Sequence, residues 1–233
     1  MFTHRPAADR GHANHGWLDT FHTFSFADYH DPAHDGFRSL RVINEDRIAA
    51  GQGFGTHGHR DMEILTWVLA GELEHRDSLG SGAVLRPGDS QVMSAGRGIR
   101  HSEWNPSEST PLHLLQIWLL PLTTGITPRW EQRHIPAADR NDQLCPIASR
   151  AGQAGGLAIH SDATVFAATL GQDQAITHVL TKDRHAWIQV SRGAVTAGGL
   201  QLLAGDGVAV SGESAFTCTA TTAGSEILVF DLG

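Results

Sequence analysis

The sequence predicts an all-β protein built from two small barrels, and three observations carry that prediction. Short apolar runs recur at intervals of roughly 8–12 residues with glycine or proline turns between them, the pattern of a sandwich or barrel. Glycine is abundant, 26 of 233 residues, which suits a turn-rich β fold. The second half also echoes the first. Thr66-Trp67-Val68-Leu69 leads to Gly71, then to Pro87-Gly88-Asp89 and Val92-Met93-Ser94. Ala186-Trp187-Ile188-Gln189 leads to Gly193, then to Ala204-Gly205-Asp206 and Val208-Ala209-Val210. The shared order of aromatic strand, glycine turn, Gly-Asp turn and strand suggests two copies of one unit.

Along the chain, Phe24 and Phe26 alternate with polar neighbours and read as a short strand. Asp31-Pro32 is a turn signal, and Ser39 to Asn44 is the next strand. Glu63 to Leu69 is a strand ended by Ala70-Gly71. Leu73 to Arg76 alternates, and Leu79-Gly80-Ser81-Gly82 closes a hairpin. Arg86-Pro87-Gly88-Asp89 turns again, and Leu112 to Leu119 is a mostly apolar strand. From Pro121 to about Ala154 the pattern changes. Pro121, Pro128, Pro136 and Pro146 interrupt a polar stretch that reads as a connector, with one short helix near Trp130 to Arg133. Strands resume at Leu157-Ala158-Ile159, Val165 to Leu170, Ala186 to Val190 and Glu226 to Leu232. The expected division is residues 1–130 for the first barrel and 131–233 for linker plus second barrel.

Composition excludes several classes. A net charge of −8 and one scattered set of cations argue against nucleic-acid binding. No apolar stretch is long enough to span a bilayer, and Met-Phe-Thr-His-Arg-Pro-Ala has no apolar core of signal-peptide length. A soluble cytoplasmic monomer is expected. Cys145 and Cys218, the only cysteines, are too few and too far apart for a disulfide framework and read as structural.

Histidine is frequent, at 15 residues, and two pairs stand out. His57-x-His59 follows Gly51, Gly53 and Gly55; His101-x-Glu103 follows Gly96 and Gly98. On a strand, positions i and i+2 share a face, and glycine lets strands bend and approach closely. Alone, His57-x-His59 reads as two solvated histidines. With the second pair on a neighbouring strand, three imidazoles and one carboxylate converge on a metal site. Glu63 shares parity with His59, so spacing leaves both Glu63 and Glu103 open as the oxygen ligand. Three nitrogens and an oxygen suit Fe, Mn, Co, Ni, Cu or Zn, and because imidazole must be neutral to bind, affinity should fall in acid.

Elsewhere, Trp17, Phe24, Phe26, Phe54, Trp104 and Trp118 read mostly as barrel core, with an aromatic pocket as the alternative. His12, His15, His22, His30 and His34 read as solvated or capping, and His113 as a satisfied core histidine. Asn105 before Pro106 reads as a turn, Glu63 as a surface or salt-bridged residue, and Arg129 to Arg133 as a domain-junction contact.

The spacing Gly51, His57, His59, Glu63, Gly71 and Gly98, His101, Asn105 resembles the two cupin motifs, with one extra residue before Gly71. Within the cupins, Arg10-Gly11-His12, Trp17, His22-Thr23-Phe24-Ser25-Phe26-Ala27, Asp31-Pro32, Leu40 to Asn44, Gly55 to His59 and His101-Ser102-Glu103 look like the pirin family. In particular they look like its bacterial pirin-like quercetin 2,3-dioxygenases. The likeness covers most of residues 5–130 and continues more weakly through Trp187-Ile188-Gln189 and Gly205-Asp206. It implies a bicupin, two jelly-roll β-barrels with one metal in the N-terminal barrel. It implies His57, His59, His101 and Glu103 as metal ligands, Glu103 also as catalytic base, and Fe(II) as the ion. The implied reaction is cleavage of flavonols such as quercetin with O2 and release of carbon monoxide, on a small aromatic or enol substrate. The alternative is a non-enzymatic metal or redox sensor of pirin type. A sugar-processing cupin is the weaker third reading, because such sites want Lys, Arg or Tyr near the metal, and the chain has one Tyr.

Overall fold

A computed structural model describes residues 1–233, the side chain of Ala154 excepted. In chain order the strands are β1 (Phe2–Arg5), β2 (Gly11–Asn14), β3 (Leu18–His22), β4 (Leu40–Ile48), β5 (Gly53–His59), β6 (Glu63–Ala70), β7 (Leu73–Asp77), β8 (Gly82–Leu85), β9 (Asp89–Ser94), β10 (Ile99–Trp104), β11 (Leu112–Leu119) and β12 (Arg129–His134). After the one-turn helix α1 (Ala137–Arg140) come β13 (Cys145–Arg150), β14 (Leu157–Ile159), β15 (Ala163–Leu170), β16 (Ala175–Val179), β17 (His185–Arg192), β18 (Ala194–Ala197), β19 (Leu200–Leu203), β20 (Gly207–Val210), β21 (Ala215–Ala220) and β22 (Ser225–Leu232). Among the described residues no helix is long and apolar enough to cross a membrane.

The chain forms two compact units. The first holds Gly11–His134 and Leu157–Ser161; the second holds Met1–Arg10, Ile135–Gly156 and Asp162–Gly233. The N-terminal ten residues thus lie with the C-terminal half, where β1 pairs with β20. Residue 130, where the linker was expected to begin nearby, falls inside β12.

The first unit is a flattened barrel of two antiparallel sheets. The larger runs β12-β9-β6-β11-β4-β3-β2 and the smaller β5-β10-β7-β8. The second unit repeats the arrangement, with β1-β20-β17-β22-β15-β13 facing β16-β21-β18-β19. Position for position, β16 and β21 stand where β5 and β10 stand in the first barrel. In the second barrel these strands send Ile176, Phe216 and Cys218 into an apolar core with Leu170, Ile188, Val208 and Ile227.

In the first barrel Leu18, Ile48, Val68, Leu73, Leu85, Leu112 and Leu114 fill one end. Ile64, Met93, Ala95 and Ile99 form a second cluster, joined by Trp118 and Trp130. Between them the inward positions turn polar. His22, Asn44, Gln116, Thr66, Gln91 and Gln132 sit directly opposite one another on β3, β4, β11, β6, β9 and β12. Such a row costs stability unless its members are paired or serve a ligand, so it marks where this barrel departs from simple packing.

Three expectations are corrected. Arg129–His134 is a strand and not a helix, because each residue pairs with β9 from Ser94 to Asp89. Sheet pairing there overrides a polar local pattern. The connector contains a further strand, β13, and its helical turn is α1. Phe24 and Phe26 lie outside strands; the N-terminal β pattern is carried instead by β2 and β3, whose polar residues hid the alternation.

Candidate metal centre

Strands β5 and β10 are antiparallel neighbours, with His57 opposite His101 and His59 opposite Ile99. The register then shifts, placing Glu103 opposite Phe54, a β-bulge that re-aims the carboxylate. Close approach here depends on Gly53. A Cβ at that position would lie 2.3 Å from the Glu103 carbonyl oxygen and 2.6 Å from Trp104 Cα. Only glycine lets β5 close on β10.

The three imidazoles crowd together without stacking. Ring centroids are 4.4 Å apart for His57 and His101, 4.8 Å for His57 and His59, and 4.9 Å for His59 and His101. Their ligating nitrogens all lie within 4.8 Å of one another. Glu103 joins His101 in a second group of that kind, with His75 as the third member. Glu103 is thus beside the three-histidine cluster and shares His101 with it.

Two of the three rings are oriented from behind. His57 Nδ1 donates to the Gly55 carbonyl at 2.9 Å. The Nδ1 atoms of His101 and His75 are 3.5 Å apart, and His75 Nε2 lies 3.2 Å from Asp77 Oδ2. If His75 Nε2–H donates to Asp77, its Nδ1 accepts from His101 Nδ1–H, and His101 Nε2 points into the cluster. That Nε2 is buried with no hydrogen-bond partner in the protein. Outer groups that fix ring and tautomer in this way typify metal-bound histidine. Burial, then the neighbouring His57, pushes His59 down to about 4. Burial, then His57, His59 and His75, pushes His101 down as well. Neutral rings with an orphaned buried nitrogen fit a divalent cation.

Glu103 is buried at the cavity wall. Burial pushes its carboxyl up to about 7, against the hydrogen bond from Gln116, and Asp46 adds to the rise. Gln116 Nε2 donates to Oε2 at 2.8 Å, and Thr66 Oγ1 stands 3.5 Å from Oε1. Behind Gln116 the donors run in one direction: Trp130 Nε1 to Gln91 Oε1 at 2.8 Å, Gln91 Nε2 to Thr66 Oγ1 at 3.4 Å, and Thr66 Oγ1 to Gln116 Oε1 at 3.1 Å. The polar row thus ends on the Glu103 carboxylate.

Glu63, expected to be a surface or salt-bridged residue, is not at the surface. Its neighbours on β6, Ile64 at the cavity and Thr66 near Glu103, face inward, so Glu63 faces the other side of the sheet. There it is buried and accepts from Ser94 Oγ at 2.7 Å.

His57, His59 and Glu103 open onto a cavity of about 470 Å³, within the range of small-molecule sites. Trp17, Phe26, Phe54 and Trp118 line it, which gives the aromatic-pocket alternative to these four. Phe24 is core, and Trp104 is 40% exposed. His15 and His22, expected to be solvated or capping, line the cavity too. His113 is paired with Glu45 at 2.9 Å, and Asn105 ties its turn by donating to Ile48, Ala49 and Thr110 carbonyls. Sequence reasoning missed His75, Asp77, Asn44, Asp46 and Gln116. Alternation was the available signal: Leu73, His75 and Asp77 share a face, as do Asn44 and Asp46.

Comparison with known proteins accords with this architecture. The pirin family profile matches residues 3–119, and the quercetinase C-terminal cupin domain matches residues 146–232. The quercetin 2,3-dioxygenase of Escherichia coli is 50% identical over 98% of this chain and 97% of its own. The crystal structure of YhhW from Escherichia coli has a TM-score of 0.96 at 49% identity, covering 100% of this chain and 98% of that one. The nickel(II) complex of the bacterial pirin YhhW has a TM-score of 0.94 at 49% identity, covering 100% and 99%. The two barrels are cupin domains, and the chain belongs to the pirin family.

Proposed function

We propose that this protein is a metal-dependent dioxygenase that cleaves flavonols such as quercetin with O2 and releases carbon monoxide. The observation that carries the reading is the convergence of three imidazoles and a buried carboxylate on the wall of an aromatic-lined cavity. The dioxygenase name of a relative at 50% identity supports it. His57, His59, His101 and Glu103 would hold the metal, taken as Fe(II); the nickel(II) complex of a relative supports a divalent ion.

When bound, the ion supplies Lewis acidity and open coordination positions. The protein supplies the rest. Trp17, Phe26, Phe54 and Trp118 hold a planar aromatic substrate and exclude water. Glu103 accepts the proton of the enol hydroxyl at Oε1, because Oε2 is already occupied by the Gln116 donor. The deprotonated enol is the electron-rich form that reacts with O2. Both oxygen atoms enter the product, the heterocycle opens, and one ring carbon leaves as carbon monoxide.

Metal analysis of the purified protein combined with oxygen uptake on quercetin tests the proposal. The expected result is about one divalent ion per chain and oxygen consumption that depends on it. Fully loaded protein that consumes no oxygen would exclude the enzyme and leave the sensor reading.

A further inference from the structure

The cavity holds a second buried carboxylate that the mechanism above does not use. Asp46 lies on β4 and lines the cavity, yet its residue surface is only 4% exposed. It accepts from Thr20 Oγ1 through Oδ1 at 2.5 Å. No other side-chain donor reaches the carboxylate among the described residues, so Oδ2 is left without a protein partner. Two residues earlier on the same strand, and therefore on the same face, Asn44 also lines the cavity. Its Oδ1 accepts from His22 Nδ1 at 2.9 Å, which leaves the amide N–H groups for the cavity.

Asp46 and Asn44 interrupt what would otherwise be an apolar strand of the barrel interior. On β4 the next inward position is Ile48, and across β11 Asp46 faces Leu114, both in the apolar cluster. Placing a carboxylate among these apolar neighbours costs stability. A ligand hydroxyl would remove that cost. An acceptor and a donor at adjacent same-face positions suit a ring hydroxyl with a neighbouring oxygen.

We propose that Asp46 and Asn44 form a substrate-binding subsite that selects aromatic enols bearing additional ring hydroxyls. Asp46 Oδ2 accepts a hydrogen bond from a ring hydroxyl other than the reacting enol, and Asn44 Nδ2 donates to the adjacent oxygen. Thr20 is the positioning residue that fixes the carboxylate. The subsite rests on the dioxygenase reading for its substrate class, but it is a property of binding and is measurable without turnover.

The test compares quercetin with 3-hydroxyflavone, which keeps the reacting enol and lacks the other ring hydroxyls. Dissociation constants are read from tryptophan fluorescence quenching, on metal-loaded protein without oxygen. Wild type should bind quercetin about tenfold tighter than 3-hydroxyflavone, the scale of one charge-assisted hydrogen bond. Asp46→Asn should weaken quercetin by about the same factor and leave 3-hydroxyflavone within about twofold. Thr20→Val, which retains the carboxylate and frees it to turn, should give a smaller loss in the same direction and covers the case in which Asp46→Asn does not fold. Wild type binding both flavonols, with selectivity unchanged in either folded variant, overturns the subsite alone. Wild type binding neither flavonol overturns the flavonol reading, and the subsite with it.

Discussion

Glu103 combines two demands that rarely meet in one side chain. It is enclosed, which pushes its carboxyl up to about 7, and it is held by a single strong donor, Gln116. Glu103→Gln keeps the shape and the neighbour but removes the proton acceptor. We expect quercetin oxidation to fall at least about a hundredfold in protein whose metal content remains full by elemental analysis. Full activity at full loading would remove Glu103 from the base role. His75 acts one layer further back. His75→Phe preserves the ring stacked at 5.5 Å on Trp130 and deletes the acceptor behind His101. Metal affinity should drop roughly tenfold in a chelator competition titration, and the thermal midpoint should fall as well, because Asp77 loses its buried partner. Unchanged affinity would separate His75 from the orientation of His101.

At the scale of elements, the centre exists because β5 and β10 touch. Their contact is set by Gly53, whose missing side chain leaves room for the Glu103 and Trp104 backbone. Gly53→Ala should push the strands apart at the bulge, cost about 2 kcal/mol by urea unfolding, and lower metal content together with stability. A variant as stable as wild type with full loading would show that the strands tolerate the separation. The same strands in the second barrel carry Ile176, Phe216 and Cys218 and close as ordinary core. One topology thus gives a site or a packed interior according to whether the inward positions are polar. The polar row across six strands of the first barrel is the clearest expression of that difference.

At the scale of the whole molecule, the second barrel has its own charged cluster, and it makes a pH prediction independent of the metal. Asp231 pairs with His178 Nε2 at 2.7 Å and with Arg184. Burial raises its carboxyl, but His178 and Arg184 outweigh burial, and the net value lies below the ordinary 3.8. The unfolded chain therefore binds this proton first as pH falls. The stability contribution is fully present above 3.8 and is lost as pH falls through the lower folded value. Asp231→Asn should cost about 2 kcal/mol at neutral pH, and the gap from wild type should shrink in acid. A gap independent of pH would mean that the pair contributes shape alone. What was legible before any coordinates follows from local chemistry. Alternation and turn residues announced strands, the repeated order announced two barrels, and His57-x-His59 with His101-x-Glu103 announced the cluster of three imidazoles beside a carboxylate, because i and i+2 share a face wherever a strand forms. What only the tertiary structure decided is which strands are neighbours. Pairing with β9 turned Trp130 to Arg133 from an expected helix into a strand. It also put His75 behind His101, brought Asp46 to the cavity wall, and turned Glu63 to the opposite face of the sheet from Thr66. Register and sheet order are set by contacts between residues far apart in the chain, and a reading of local pattern has no access to those distances.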